Sequence, residues 1–237
     1  MIIRKKNIFI CILAVISISA NAQSHYSSVF GQDYKNALSY MKSNRLLQHK
    51  VFEHNGVPAD VLVPVIFPER IRYSILRDYL ETESMKFFYV NEGSEFADFS
   101  IGDFQLKASF AEETEAFIQN HPKLKEKYKL LIINNKDKQK ARETRIKRLQ
   151  NTAYQLFYIS AFYDIVNYRF DLSRLSKEDQ IRFTASAYNH GFTKSKENIE
   201  RYAKLKFFPY GSAYPGQQYA YSDIAYDFYL YYYKNLQ

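Results

Sequence analysis

A chain of 237 residues with a net charge of +8, 22 tyrosines, 19 phenylalanines, no tryptophan and one cysteine is long enough for one globular domain with a sizeable core. A lone cysteine excludes a disulfide framework and a cysteine-based metal site, and His25, His49 and His54 lack metal-ligand spacing, so neither metal nor cofactor is expected. The basic excess is spread along the chain, which favours an anionic neighbourhood such as a cell-wall polymer or membrane surface over nucleic acid.

The first residues carry Arg4, Lys5 and Lys6, an apolar run from Ile8 to Ile18, and Ala20-Asn21-Ala22, a small-x-small cleavage signature. This pattern predicts an exported chain, periplasmic or secreted, cleaved after Ala22. Of 237 residues, 215 remain, and with the three basic residues gone the net charge falls from +8 to +5. Cys11 leaves with the signal, and no later stretch has the apolar length of a membrane span. The mature chain, 23–237, reads as a single helical domain.

From Asp33, the spacing of Tyr34, Ala37, Leu38 and Met41 predicts an amphipathic helix to about Leu47. Pro58 to Glu69 is apolar but carries three prolines, which predicts a kinked or interrupted helix ending on a carboxylate. An apolar approach disfavours the charged form of Glu69; a salt bridge to Arg70 or Arg72 is the competing expectation. Ile71, Leu76, Tyr79 and Leu80 support a further helix, continued through Met85–Tyr89 and broken at Asn91-Glu92-Gly93. The loop Phe96–Gln105 follows, with Gly102 able to bring the backbone close to a ligand between the Ser100 hydroxyl and the Gln105 amide.

Ser109 and Glu112 form a capping-box pattern, placing a helix from just after Lys107 to about Asn120. Residues 121–148 are strongly basic and read as a solvated helical arm. Leu149 to Val166 is the most apolar stretch of the mature chain and the expected central core helix. Ser176 opens a helix that stops at Gly191, Ser195–Lys206 gives one more, and Ser222–Asn235 closes the chain with a tyrosine-rich helix. No strand pattern stands out, so the fold class is all-α.

Thr184 to Phe192 reads TASAYNHGF, a small-residue helix that can pack closely on a neighbour and ends on Tyr188 and Asn189. This A-x-A-Y-N-x-G end resembles the corresponding motif of soluble lytic transglycosylases and goose-type lysozymes. Ser100-Ile101-Gly102-Asp103-Phe104-Gln105 resembles their S-x-G-x-x-Q loop, in the same chain order. Those families place a catalytic glutamate before that loop, at the end of an apolar helix, as Glu69 stands here. The resemblance spans roughly Val61 to Phe192 by pattern, and it departs in two respects: Arg70 follows the glutamate where serine is usual, and 31 positions separate Glu69 from Ser100. Glu83-Ser84 restores the usual pair and a shorter gap in a more polar setting, so Glu83 is the alternative acid.

The resemblance implies a lysozyme-like helical domain with a buried central helix and a charged helical insertion. It also implies cleavage of the β-1,4 bond between N-acetylmuramic acid and N-acetylglucosamine in peptidoglycan. Glu69 would be the acid, Tyr188 its hydrogen-bonding orienter, and Ser100, Gly102, Gln105 and Asn189 substrate-binding residues. Asp98 and Asp103 flank the loop and leave hydrolysis open beside an anhydro product. The alternative from another class is a catalytically silent protein of this fold that binds cell-wall glycan or serves an envelope assembly as an accessory protein.

Overall fold

Ala59–Leu76 is the helix around which the others pack, because eleven consecutive residues from Val61 to Ile71 are buried on all of its sides. The computed structural model describes residues 24–76 and 83–233; the N-terminal signal pattern with Cys11, and Tyr79 and Leu80, lie outside them. In chain order the helices are α1 (His25–Ser43), α2 (Arg45–His54), α3 (Ala59–Leu76), α4 (Glu83–Glu92), α5 (Ala108–Gln119) and α6 (Pro122–Lys127). They continue with α7 (Lys138–Leu149), α8 (Thr152–Phe170), α9 (Lys177–His190), α10 (Lys196–Tyr202) and α11 (Tyr221–Phe228). Two antiparallel hairpins complete the described residues: β1 (Ser100–Ile101) with β2 (Leu106–Lys107), and β3 (Lys206–Phe208) with β4 (Tyr219–Ala220). The molecule is thus mostly helical, and among the described residues no helix is long and apolar enough to cross a membrane.

α3 is continuous despite Pro64 and Pro68, where an interruption was expected. The two prolines are four residues apart, so the backbone bonds they remove fall on one stripe of the helix and the rest of the ladder holds. Packing supplies what propensity lacks. α3 lies against α1, α9 and α11, with Phe67 stacked on Phe228 at 3.9 Å and edge-on to Tyr34 at 4.9 Å. Burying each such side chain stabilises the fold by about 1.5–3 kcal/mol.

The central helix is therefore α3 rather than the expected Leu149–Val166. α8 is buried on most sides from 155 to 166, as expected, and its exposed positions lie at its two ends, at Ala153-Tyr154 and Asn167-Tyr168. It packs against α2, α5, α7 and α9 with 157, 163 and 164 only half-buried, whereas the α3 run is buried all round. The expected helix from Asp33 to Leu47 is found from just after Gly31, whose non-helical backbone (φ +51, ψ −115) separates it from a preceding turn at His25, and it divides at Asn44. The start at Ser176 and the stop at Gly191 hold: the Ser176 hydroxyl accepts from the Asp179 amide, and Gly191 takes φ +118.

Two further expectations give way. The capping box does not form, since Ser109 donates through its amide (3.1 Å) and hydroxyl (2.9 Å) to Asp98, which closes the α5 N-terminus from across the loop. The 121–148 segment is helical but docked. Tyr128, Leu131, Arg145 and Ile146 are buried, and Arg142 donates to the Val90 and Asn91 carbonyls at the end of α4. Basic side chains there hold helix ends and carboxylates of neighbouring elements, a use that charge counting along one segment does not reveal.

Candidate active site

Glu69 projects from the last buried turn of α3 and is only 2% exposed. Arg72, one turn further on, places Nη1 at 2.8 and 3.0 Å from the two carboxylate oxygens and donates through Nη2 to Asn189 Oδ1 at 3.1 Å. Its guanidinium lies over the Phe208 ring at 4.8 Å. Burial pushes the Glu69 carboxyl above its ordinary range, while Arg72, the nearby Tyr221 hydroxyl and the charge of Lys107 pull it back. Burial, reinforced by the Glu69 charge, holds the Tyr188 and Tyr221 hydroxyls well above the usual tyrosine value, so both are neutral donors.

Across from Glu69, residues 100–107 form a hairpin in which Ser100 pairs with Lys107 and Ile101 with Leu106. Its turn is held by side chains from three helices. Arg70 of α3 donates to the Asp103 carbonyl (3.0 Å) and carboxylate (2.9 Å), and Thr152 of α8 reaches the other carboxylate oxygen at 2.5 Å. Gln155 of α8 accepts from the Phe104 amide at 2.8 Å, and Tyr188 of α9 donates to the Phe104 carbonyl at 2.7 Å. Arg70, the departure from the usual serine, thus ties the loop to the acid-bearing helix and does not touch Glu69.

This pinning presents Gln105 with φ +54, a left-handed conformation costing about 1–2 kcal/mol for a residue with a Cβ. The Gln105 Nε2 donates to the Gly102 carbonyl at 2.8 Å, which fixes the amide orientation. Its Oε1 is buried with no hydrogen-bond partner among the described residues. A buried acceptor left empty costs about 1–3 kcal/mol, and it is where a ligand N–H or O–H would be accommodated.

Glu69, Ser100, Gln105, Tyr188 and Asn189 line one cleft of about 70 Å³, joined by Arg72 and Lys107. Five of the residues singled out from sequence are brought together; two are not. Gly102 (φ +69) faces α8, where a Cβ would overlap the Gln155 amide and come within 2.7 Å of the Leu149 carbonyl, so this glycine serves helix-to-loop packing rather than ligand approach. Glu83 has a 91% exposed side chain paired with Lys86 at 3.0 Å, outside the cleft. The expected Tyr188–Glu69 hydrogen bond does not form. The Tyr188 proton goes to the Phe104 carbonyl at 2.7 Å and the Tyr221 proton to the Val65 carbonyl at 2.9 Å, while the Glu69 charge acts on both hydroxyls.

Asp98 and Asp103 are committed to Ser109 with Lys107, and to Arg70 with Thr152, so among the described residues Glu69 is the sole carboxylate lining the cleft. Sequence reading missed Tyr221, Lys107 and Gln155, and it took Arg72 only as a salt-bridge partner. The signal for Tyr221 was its place directly before an amphipathic helix in a tyrosine-rich stretch, which by itself does not separate it from its neighbours. A larger depression of about 980 Å³ lies between α9, α10 and α11, but Arg182 there is paired with Glu178 and Asp223, and its carboxylates are not buried. Among the described residues no cluster of histidine and carboxylate side chains could hold a metal ion. Comparison with protein families, with curated proteins and with solved structures gives no match for this chain.

Proposed function

We propose that the chain is an exported, lysozyme-like protein that cleaves peptidoglycan glycan strands between N-acetylmuramic acid and N-acetylglucosamine, with Glu69 as acid and then base. One observation carries this reading: a nearly fully buried carboxyl and an unpartnered buried amide oxygen, from chain segments 36 residues apart, line the same cleft. In the reaction, protonated Glu69 donates to the glycosidic oxygen as the bond from the sugar C1 breaks, and positive charge develops at C1. The carboxylate then takes the proton of the sugar's own C6 hydroxyl as its oxygen bonds to C1, leaving an anhydro end. That Glu69 is the sole carboxylate lining the cleft among the described residues favours this route over hydrolysis, which commonly uses a second carboxylate to activate water. Gln105 Oε1 would accept from an acetamido N–H, with Ser100 and Asn189 positioning the sugar.

The second reading, a glycan-binding protein without cleavage that serves the cell envelope, is favoured by the Arg72 contact, which occupies the oxygens an acid needs. The test is Glu69→Gln beside Glu83→Gln on purified peptidoglycan, with mass analysis of products and thermal unfolding as the folding control. Glu69→Gln should lose about 10²–10⁴ in rate and stay folded, and Glu83→Gln should match wild type. Loss in Glu83→Gln with full activity in Glu69→Gln moves the acid to Glu83. A wild type that binds strands without cutting them selects the second reading.

A further inference from the structure

Arg72 presents a conflict that the proposed chemistry must resolve. An acid must carry a proton, yet the Glu69 oxygens are engaged by Arg72 Nη1, and the cleft, at about 70 Å³, has room for little more than two waters. The resting arrangement is also not the best available to the arginine. Its Nε is buried with no acceptor among the described residues, so a guanidinium with five N–H groups satisfies only part of them. A buried donor without a partner favours any rearrangement that supplies one.

The charges around the cleft indicate what the new partner is. Among the described residues Glu69 is the sole anion lining it, against Arg72 and Lys107, and Lys107 has a half-exposed side chain whose Nζ reaches Asp98, outside the lining, at 3.2 Å. A ligand placed here meets two cations and one acid in the lining itself. A carboxylate matches the planar donor fork of arginine better than any neutral sugar hydroxyl does.

We infer that Arg72 is a carboxylate-selecting residue: a carboxylate on the bound glycan replaces Glu69 as its partner, opens the cleft, and leaves Glu69 to take up a proton from solvent. This inference rests on the proposed glycan-binding reading and adds the residue that reads the strand's carboxylate and the exchange by which Glu69 is released. The balance is simple. One ion pair is exchanged for another, the Glu69 carboxylate gains one proton, and the buffer supplies it. No bond in the sugar changes at this stage, so the exchange is observable without turnover.

The experiment compares two tetrasaccharides by isothermal titration calorimetry near pH 7 in buffers of differing ionisation enthalpy. One alternates N-acetylglucosamine with N-acetylmuramic acid and carries two lactyl carboxylates; the other is chitotetraose, which carries none. Wild type should prefer the acidic sugar by about tenfold and take up close to one proton with it, and no proton with chitotetraose. Arg72→Met should bind both sugars equally, and Arg72→Lys should keep part of the preference, which covers the case in which the methionine variant folds poorly. Glu69→Gln, with no carboxylate to displace, should bind the acidic sugar more tightly than wild type and without proton uptake. Equal affinity of wild type for both sugars, absence of proton uptake, or failure to bind either sugar overturns the inference. Cleavage of strands without these signatures leaves the proposed activity standing and removes Arg72 from it; these signatures without cleavage do the reverse.

Discussion

The buried Arg145 and the half-buried Arg72 are handled in opposite ways. Arg145 of α7 sits between α4, α5 and α8 with every nitrogen satisfied: Nε and Nη2 on Glu115 at 3.1 and 2.6 Å, and Nη1 on the Tyr89 hydroxyl at 2.6 Å and Glu112 at 3.1 Å. The carboxylates are in turn saturated, Glu112 by Tyr89 and Ser94 and Glu115 by Tyr158. Arg72 has two carboxylate contacts from one nitrogen, one amide contact from another, and an empty Nε, beside the equally empty Gln105 Oε1. A saturated polar network has nothing left to offer a ligand and contributes rigidity. The unsaturated one keeps a cost in the folded state that binding can relieve.

The largest expected effect tests the saturated side. Arg145→Met should cost about 3–5 kcal/mol in urea denaturation, because it strands the partly buried Glu112 and Glu115 charges, and it should leave glycan affinity of the folded fraction unchanged. A loss below about 1 kcal/mol would mean that the network is not the clamp its geometry suggests. Gly102→Ala comes next, at about 2–4 kcal/mol, from a left-handed backbone and overlap with Gln155 and the Leu149 carbonyl. It should also weaken glycan binding, because the turn that presents Gln105 must shift. Retained stability there would contradict the packing role assigned to this glycine.

The third prediction concerns pH. Burial holds Glu69 above the ordinary value of 4.5, so the folded state binds its proton more tightly than the unfolded chain does. Its contribution to stability is therefore fully present below about pH 4.5 and is lost as pH rises through the folded value. Arg72→Met removes the main restraint on that rise. Its urea midpoint should fall more steeply than that of wild type between about pH 5 and 8, and Glu69→Gln in the same background should abolish the extra slope. Parallel pH profiles for wild type and Arg72→Met would show that the two groups are not coupled. The smallest effect is Tyr221→Phe, which leaves the Val65 carbonyl without its donor and should cost about 1 kcal/mol by thermal unfolding.

The helical class, the start at Ser176, the stop at Gly191 and the small-residue helix before Tyr188 were legible in the sequence because they follow from spacing and caps within one segment. So was the candidate acid: an apolar run ending in one carboxylate leaves that carboxylate few places to go but the interior. Ser100, Gln105, Tyr188 and Asn189 reach the cleft for a local reason, each standing near the end of an element or on a turn, whereas Glu69 sits inside α3, which runs past the expected end to Leu76. Partners were not legible. Whether Glu112 closes its own helix or joins Arg145, whether Asp98 stands free or caps α5, and whether Gly102 faces a ligand or Gln155 depend on elements far apart in the chain. The sequence by itself determined which segments are helical and which side chains are costly to bury. It took the packing of distant helices to make α3 rather than α8 central, to dock the basic segment, and to send the Tyr188 proton to the Phe104 carbonyl rather than to Glu69. The physical reason is that a hydrogen bond or ion pair needs a partner within about 3 Å. In a helical protein such partners come from neighbouring helices, whose contacts the pattern of a single segment does not encode.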